Sequence, residues 1–116
     1  MNAQLEGDLE WVDVGGTSDL LNGGMVVGFG TVSVVIISTG RGLVAVEDVC
    51  PHLGRPLSEG RIAGRRVQCA GHAYRWDLVT GQPVRRPGTR LQPGILRRFP
   101  IRAAGDRVLL GRPKGG

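Results

Sequence analysis

Along this chain apolar residues either alternate with polar ones or bunch into short runs, and no stretch of ten or more keeps a helical period. EWVDV (Glu10–Val14) alternates and reads as a first strand. GGTSDLLNGG, residues 15–24, is rich in turn residues, with one helical turn expected around Asp19–Leu21. The most apolar stretch, MVVGFGTVSVVII, is cut by Gly28, Gly30, Thr31 and Ser33. It reads as two strands, MVVGFG and Val32–Ser38, joined by a tight turn near Gly30. After the turn STGRG comes a strand at Leu43–Asp48, which runs straight into Cys50. These strands are expected to form one antiparallel meander.

Residues 50–82 read mostly as loop, with short strands at Arg65–Cys69 and Tyr74–Leu78. Pro87 and Pro93 remove backbone donors, so residues 85–94 make no regular central strand. The C-terminal part predicts a hairpin: Ile95–Ala103, a turn at Ala104–Asp106, then Arg107–Gly111. Residues 1–9 and the tail RPKGG are expected to be loose. The fold class is all-β, with antiparallel strands in one domain spanning 1–116.

Composition agrees. The chain of 116 residues has 20 Gly and 7 Pro, abundant Val, and little of the Lys and Glu that cover exposed helices. Its core is small, so a bound metal centre would add appreciably to stability. The N-terminal residues MNAQLEGDLE are acidic and polar, and the apolar run falls short of the roughly 20 residues that span a bilayer. A cytoplasmic protein without membrane contact is expected. Charge is divided unevenly. Residues 1–40 hold Glu6, Asp8, Glu10, Asp13 and Asp19 but no Lys or Arg, while all fifteen basic residues, fourteen of them Arg, follow. That division fits either a solvated surface or a docking face for an acidic partner.

The chemistry is concentrated in two segments. The chain has two Cys and two His, and all four sit in CPHLGRPLSEG (residues 50–60) and CAGHAYRWD (residues 69–77). They read Cys50-x-His52 and Cys69-x-x-His72. Two such loops held face to face supply two sulfurs and two nitrogens, a set that suits a tetrahedral zinc or a [2Fe–2S] cluster. Gly54, Gly60 and Gly81 are expected to bend the loops, and Pro51 and Pro56 to stiffen the first. Trp76 and Leu53 are candidates for core, for shielding of the centre, or for both.

The spacing Cys-x-His-x₁₆-Cys-x-x-His, with the Pro-Leu and closing Gly60 of the first loop and the aromatic, Asp and Thr-Gly turn after His72, resembles the Rieske iron–sulfur family. The similarity extends over about residues 10–111. It implies a Rieske domain with a cluster-binding subdomain at about 46–82. It implies a [2Fe–2S] cluster whose inner iron is held by Cys50 and Cys69 and whose outer iron is held by His52 and His72. Arg55 and Gly71 stand where some respiratory members carry an extra disulfide, so that bridge is absent. Tyr74 and Trp76 stand where those members place a Ser and a Tyr that donate hydrogen bonds to sulfur. With fewer donors the reduced cluster is less stabilised, and a low potential is expected. The chain departs from the family at Ala70, Gly71 and Ala73, where Pro, a large apolar residue and Gly are common.

The resemblance implies a small electron carrier rather than an enzyme. An oxygenase would need two further histidines and a carboxylate for a mononuclear iron, and no histidine is left over. The partners implied are a flavin-dependent reductase and a terminal oxygenase, with no small-molecule substrate. A small redox subunit of a nitrite-reductase-like enzyme is the alternative within electron transfer. From other classes come a structural subunit with a degenerate Rieske fold and a basic zinc-bearing nucleic-acid module. The last is disfavoured by the scarcity of aromatic residues (two Trp, one Tyr, two Phe).

Overall fold

The computed structural model describes residues 8–20, 24–40, 42–51, 54–69, 74–84 and 94–114. Among these residues nine strands run in chain order: β1 (Leu9–Gly16), β2 (Gly24–Phe29), β3 (Val32–Thr39), β4 (Gly42–Glu47), β5 (Arg61–Ala63), β6 (Arg66–Gln68), β7 (Arg75–Asp77), β8 (Ile101–Ala104) and β9 (Arg107–Pro113). They form three antiparallel sheets of three strands, ordered β1-β9-β8, β2-β3-β4 and β5-β6-β7. Single 3₁₀ turns lie at Thr17–Asp19 and Leu57–Glu59. Among the described residues no helix is long and apolar enough to cross a membrane.

The middle strand of the middle sheet explains the apolar run. A strand covered on one side alternates; β3 is covered on both. Val34 and Ile36 pack with Phe29, Ala45, Val108 and Leu110 against the β1-β9-β8 sheet. Val35 and Ile37 point the other way, into a second core with Val46, Leu57, Val67, Trp76, Leu78, Leu96 and both cysteines. Burying each of these Val or Ile side chains contributes about 2 kcal/mol. β4 follows in register, Val46 beside Val35 and Ala45 beside Ile36, so its end is delivered to the second core.

The predicted β2-β3-β4 hairpins are present, with Gly30 at φ +63° in the turn between β2 and β3. β1 does not join them. It pairs instead with β9, from Leu9 opposite Pro113 to Gly16 opposite Arg107, across a bulge between Asp13 and Gly15. Charge complements that pairing: Arg107 Nε and Nη2 donate to the Asp13 carboxylate, both at 2.9 Å, and Arg112 Nε donates to Glu10 at 3.0 Å. Part of the charge division read from the sequence is thus a match between an acidic first strand and a basic last one. The ends are tied too. Leu9 opens β1, β9 runs through Pro113, and the Lys114 amide donates to the Asp8 carbonyl at 3.0 Å.

The expected strand at Ile95–Ala103 is split. Residues 97–99 lie along β4, where the Glu47 amide donates to the Arg97 carbonyl (2.8 Å) and the Phe99 amide to the Ala45 carbonyl (2.9 Å). Pro100 has no amide to continue that ladder. Its carbonyl accepts from Gly111 at 2.9 Å, and the chain crosses to β9 as β8. One segment thereby ties two sheets together. The expected helical turn appears two residues earlier, at Thr17–Asp19, and residue 21 lies outside the described residues.

Candidate iron–sulfur site

The first loop leaves β4 at Glu47. The Asp48 amide donates to the Ser33 carbonyl at 2.8 Å, which fixes the departure angle. The Cys50 amide donates to the Arg55 carbonyl (2.6 Å) and the Gly54 amide to the Cys50 carbonyl (2.7 Å), which draws residues 54 and 55 back onto Cys50 and closes the base of the loop. Gly54 sits at φ +74°, a conformation that favours glycine. Asp48 then clasps the far side of the loop, its carboxylate accepting the Ser58 amide and hydroxyl, both at 2.7 Å. Leu57 is buried under the loop.

The second loop opens at Cys69, whose amide donates to the Tyr74 carbonyl at 2.9 Å, and it returns as β7. Behind β7, Asp77 organises the next turn. Its carboxylate accepts the Val79 amide (2.8 Å), the Thr80 amide (3.1 Å) and Arg65 Nε (2.9 Å), with Arg65 Nη2 at 2.8 Å. Partial burial acts to raise the Asp77 carboxyl, but the hydrogen bonds from Thr80, Arg65 and Val79 together outweigh it and hold the pKa below the ordinary carboxylate value. A carboxyl with a depressed folded pKa stabilises the fold above the unfolded value of about 3.9, and that stability is lost as pH falls through the folded value. Asp77→Asn is therefore expected to cost about 1–2 kcal/mol at neutral pH and to flatten the acid limb of a thermal-stability profile below roughly pH 4.

A third segment covers the pair. Gly94 approaches so closely that a Cβ on it would lie 3.1 Å from the Pro51 Cβ. The Gly94 carbonyl accepts the Trp76 indole N–H at 2.9 Å, and the Leu96 amide donates to the Gly81 carbonyl at 2.8 Å. Sequence reasoning missed this clamp. Trp76 is fully buried, 0% exposed, so it is core and a pin between β7 and residue 94 at once.

Both loops are joined at their bases. Gly54 and Gly81 bend the chain as expected, Gly81 at φ +78°. Gly60 does something different: it is extended, at φ −86° and ψ −167°. Its role is close approach, since a Cβ there would stand 2.1 Å from the Gln68 carbonyl oxygen. Gly60 ends the first loop and Gln68 precedes Cys69, so the missing side chain lets the two loops meet.

Cys50 and Cys69 are 1% and 2% exposed, lie in one apolar pocket, and form no disulfide. Burial first, and then the adjoining Cys50 thiol, push the Cys69 thiol up to about 12. A thiol pushed up in this way stays protonated unless a cation compensates, and an iron or zinc ion is such a compensator. The cysteine side of the donor set therefore fits a metal centre. His52 and His72 lie outside the described residues, as does Leu53. Among the described residues no group of three or more His, Cys, Asp or Glu gathers as a metal site.

An all-β chain that presents two buried cysteines side by side from two mutually anchored loops has the donor arrangement of a two-loop metal-binding fold. The family model of the Rieske [2Fe–2S] domain matches residues 10–100, and the chain belongs to that family. The ferredoxin component of the alkene monooxygenase system of Xanthobacter autotrophicus is 32% identical over 114 residues, covering 94% of this chain and 89% of that one. A solved complex of reduced oxygenase and oxidized ferredoxin in carbazole 1,9a-dioxygenase contains a chain with TM-score 0.74 and 26% identity, covering 91% of this chain and 97% of its own. The Sphingomonas yanoikuyae B1 ferredoxin shares the fold, with TM-score 0.76 at 16% identity over 90% of this chain and 100% of that one. Chains of a Pseudomonas putida CBB5 protein solved with theobromine match at TM-score 0.73 and 24% identity, and this chain spans 33% of their length. The protein is an electron-transfer protein with a Rieske-type [2Fe–2S] cluster.

Proposed function

We propose that Cys50 and Cys69 hold the inner iron of the cluster as thiolates and that His52 and His72 hold the outer iron. The chain then acts as one Rieske domain over 1–116 with its cluster-binding part at about 46–82. It works in the cytoplasm as a carrier between a flavin-dependent reductase and a terminal oxygenase. The observation that carries the reading is the shared, apolar pocket of the two cysteines at the mouths of two closed loops. The cluster, when bound, supplies a centre that takes and gives one electron. The chain's residues close the sulfur side against water through Leu57, Trp76 and Leu96.

A low potential follows from the same packing. Trp76 has one polar hydrogen, and the Gly94 carbonyl takes it, so this side chain donates nothing to sulfur. Redox titration is expected to place the midpoint near the lower end of the roughly −150 to +300 mV range of such clusters. Trp76→Phe should leave that midpoint in place while lowering thermal stability. A strongly positive wild-type midpoint would contradict the assignment. Iron and acid-labile sulfide analysis of the red-brown protein tests the reading as a whole: both are expected in equal amounts, and a colourless zinc protein would overturn it.

A further inference from the structure

The small β5-β6-β7 sheet has one face inside and one outside. Val67 pairs with Trp76 on the inner face, and both are buried. The outer face carries two rows, Arg61–Gln68–Arg75 and Ala63–Arg66–Asp77. Arg65, forked onto Asp77, adds a further cation. Four guanidinium groups thus stand against one carboxylate, and that carboxylate is already engaged. Arg55, Arg65, Arg97, Arg107 and Arg112 each have an acidic partner, whereas among the described residues Arg61, Arg66 and Arg75 form no ion pair. All three are exposed.

Position gives this face its meaning. Arg61 follows Gly60, the last residue of the first loop, and Arg75 follows Tyr74, where the second loop closes. The row Arg61–Gln68–Arg75 is therefore the shoulder from which both cluster loops rise. Strand spacing sets the two guanidinium stems about 10 Å apart across Gln68. A rigid sheet that carries unpaired cations beside a redox centre suits a macromolecular anion.

We propose that this outer face, through Arg61, Arg66 and Arg75, docks a carboxylate-rich surface of the protein that exchanges electrons with the cluster. The inference rests on the electron-carrier reading above and names the surface and the partner's chemistry. A nucleic acid fits less well. Trp76 is buried and Tyr74 packs partly into the core, so neither is a free stacking platform on this face.

The test uses the cluster-loaded protein with poly-glutamate as the carboxylate probe and a short duplex DNA as the phosphate probe, at about 0.01–0.1 M salt. Replacing Arg61, Arg66 and Arg75 together with Gln is expected to weaken poly-glutamate binding by roughly tenfold or more. Replacing Arg97, Arg102 and Arg112 together with Gln removes the same charge and should weaken it by less than about threefold. Equal losses in the two triples would overturn the proposal, because net charge alone would then explain binding. Tighter binding to the DNA, lost with the first triple, would overturn it in favour of a nucleic-acid face. If the first triple does not fold, the single variants Arg61→Gln and Arg75→Gln each carry the test, with about a twofold loss expected and no loss contradicting it. The visible spectrum and, after the cluster is first reduced with dithionite and the excess removed, the one-electron reduction of ferricyanide are read in parallel. Their absence in the wild type would strike the electron-carrier reading, whereas a normal spectrum with unselective binding would strike the docking face alone.

Discussion

Gly60→Ala is expected to strip the protein of most of its iron and to lower its melting temperature by roughly 10–20 °C. The cost is steric, not conformational, because the backbone at Gly60 is one that any residue adopts. The added methyl would meet the Gln68 carbonyl oxygen at 2.1 Å, the Gln68 carbonyl carbon at 3.1 Å and the Leu57 carbonyl oxygen at 3.2 Å. All three are backbone atoms, which cannot rotate aside as a side chain would. Relief requires β5 to move away from β6 beside Cys69, so the strain of about 3 kcal/mol or more falls on the geometry that sets one cysteine against the other. Gly28→Ala is the control. Nothing lies within 4 Å of its Cβ position and its φ is ordinary, so stability should be unchanged or rise by a few tenths of a kcal/mol. Thermal melts and iron content of the two variants check the contrast. Equal behaviour would mean that the approach of Gly60 to Gln68 does not hold the loops together.

Cys69→Ser is expected to have the larger effect on colour. A serine hydroxyl is a harder donor with a far higher pKa than a thiol, and it is a poor ligand for iron in a sulfur-bridged pair. The visible absorption should vanish or change, and the domain should melt earlier, because Cys69 and Cys50 belong to the core that Val35, Leu57 and Trp76 complete. Cys50→Ser should behave alike. Either variant keeping the wild-type spectrum would remove that residue from the ligand set.

These two variants differ in how visible their residues were in the sequence. The cysteines announced themselves: two Cys and two His in two short segments carry a spacing signal that needs no fold. Strands β2, β3 and β4 were readable for a similar reason, since a run of branched apolar residues between glycines has few other outcomes. The role of Gly60 was hidden, because close approach depends on which strand lies opposite, and the sequence offers every glycine as a turn. β5 has three residues, Arg-Ile-Ala, too few for a period to appear. The partner of β1 lies at the other end of the chain. The acids at Glu10 and Asp13 and the bases at Arg107 and Arg112 hinted at that pairing, but the same charges also fit a surface in solvent. The split at Pro100 follows from two competing edges, β4 and β9, which only the assembled sheets reveal. The two histidines are assigned from sequence spacing, and their assignment calls for a direct test.

That test is pulsed electron paramagnetic resonance on the reduced protein produced with ¹⁵N-labelled histidine. Coupling of the cluster's unpaired electron to two histidine nitrogens is expected, one each from His52 and His72. A reduced cluster that couples to no histidine nitrogen would contradict the account.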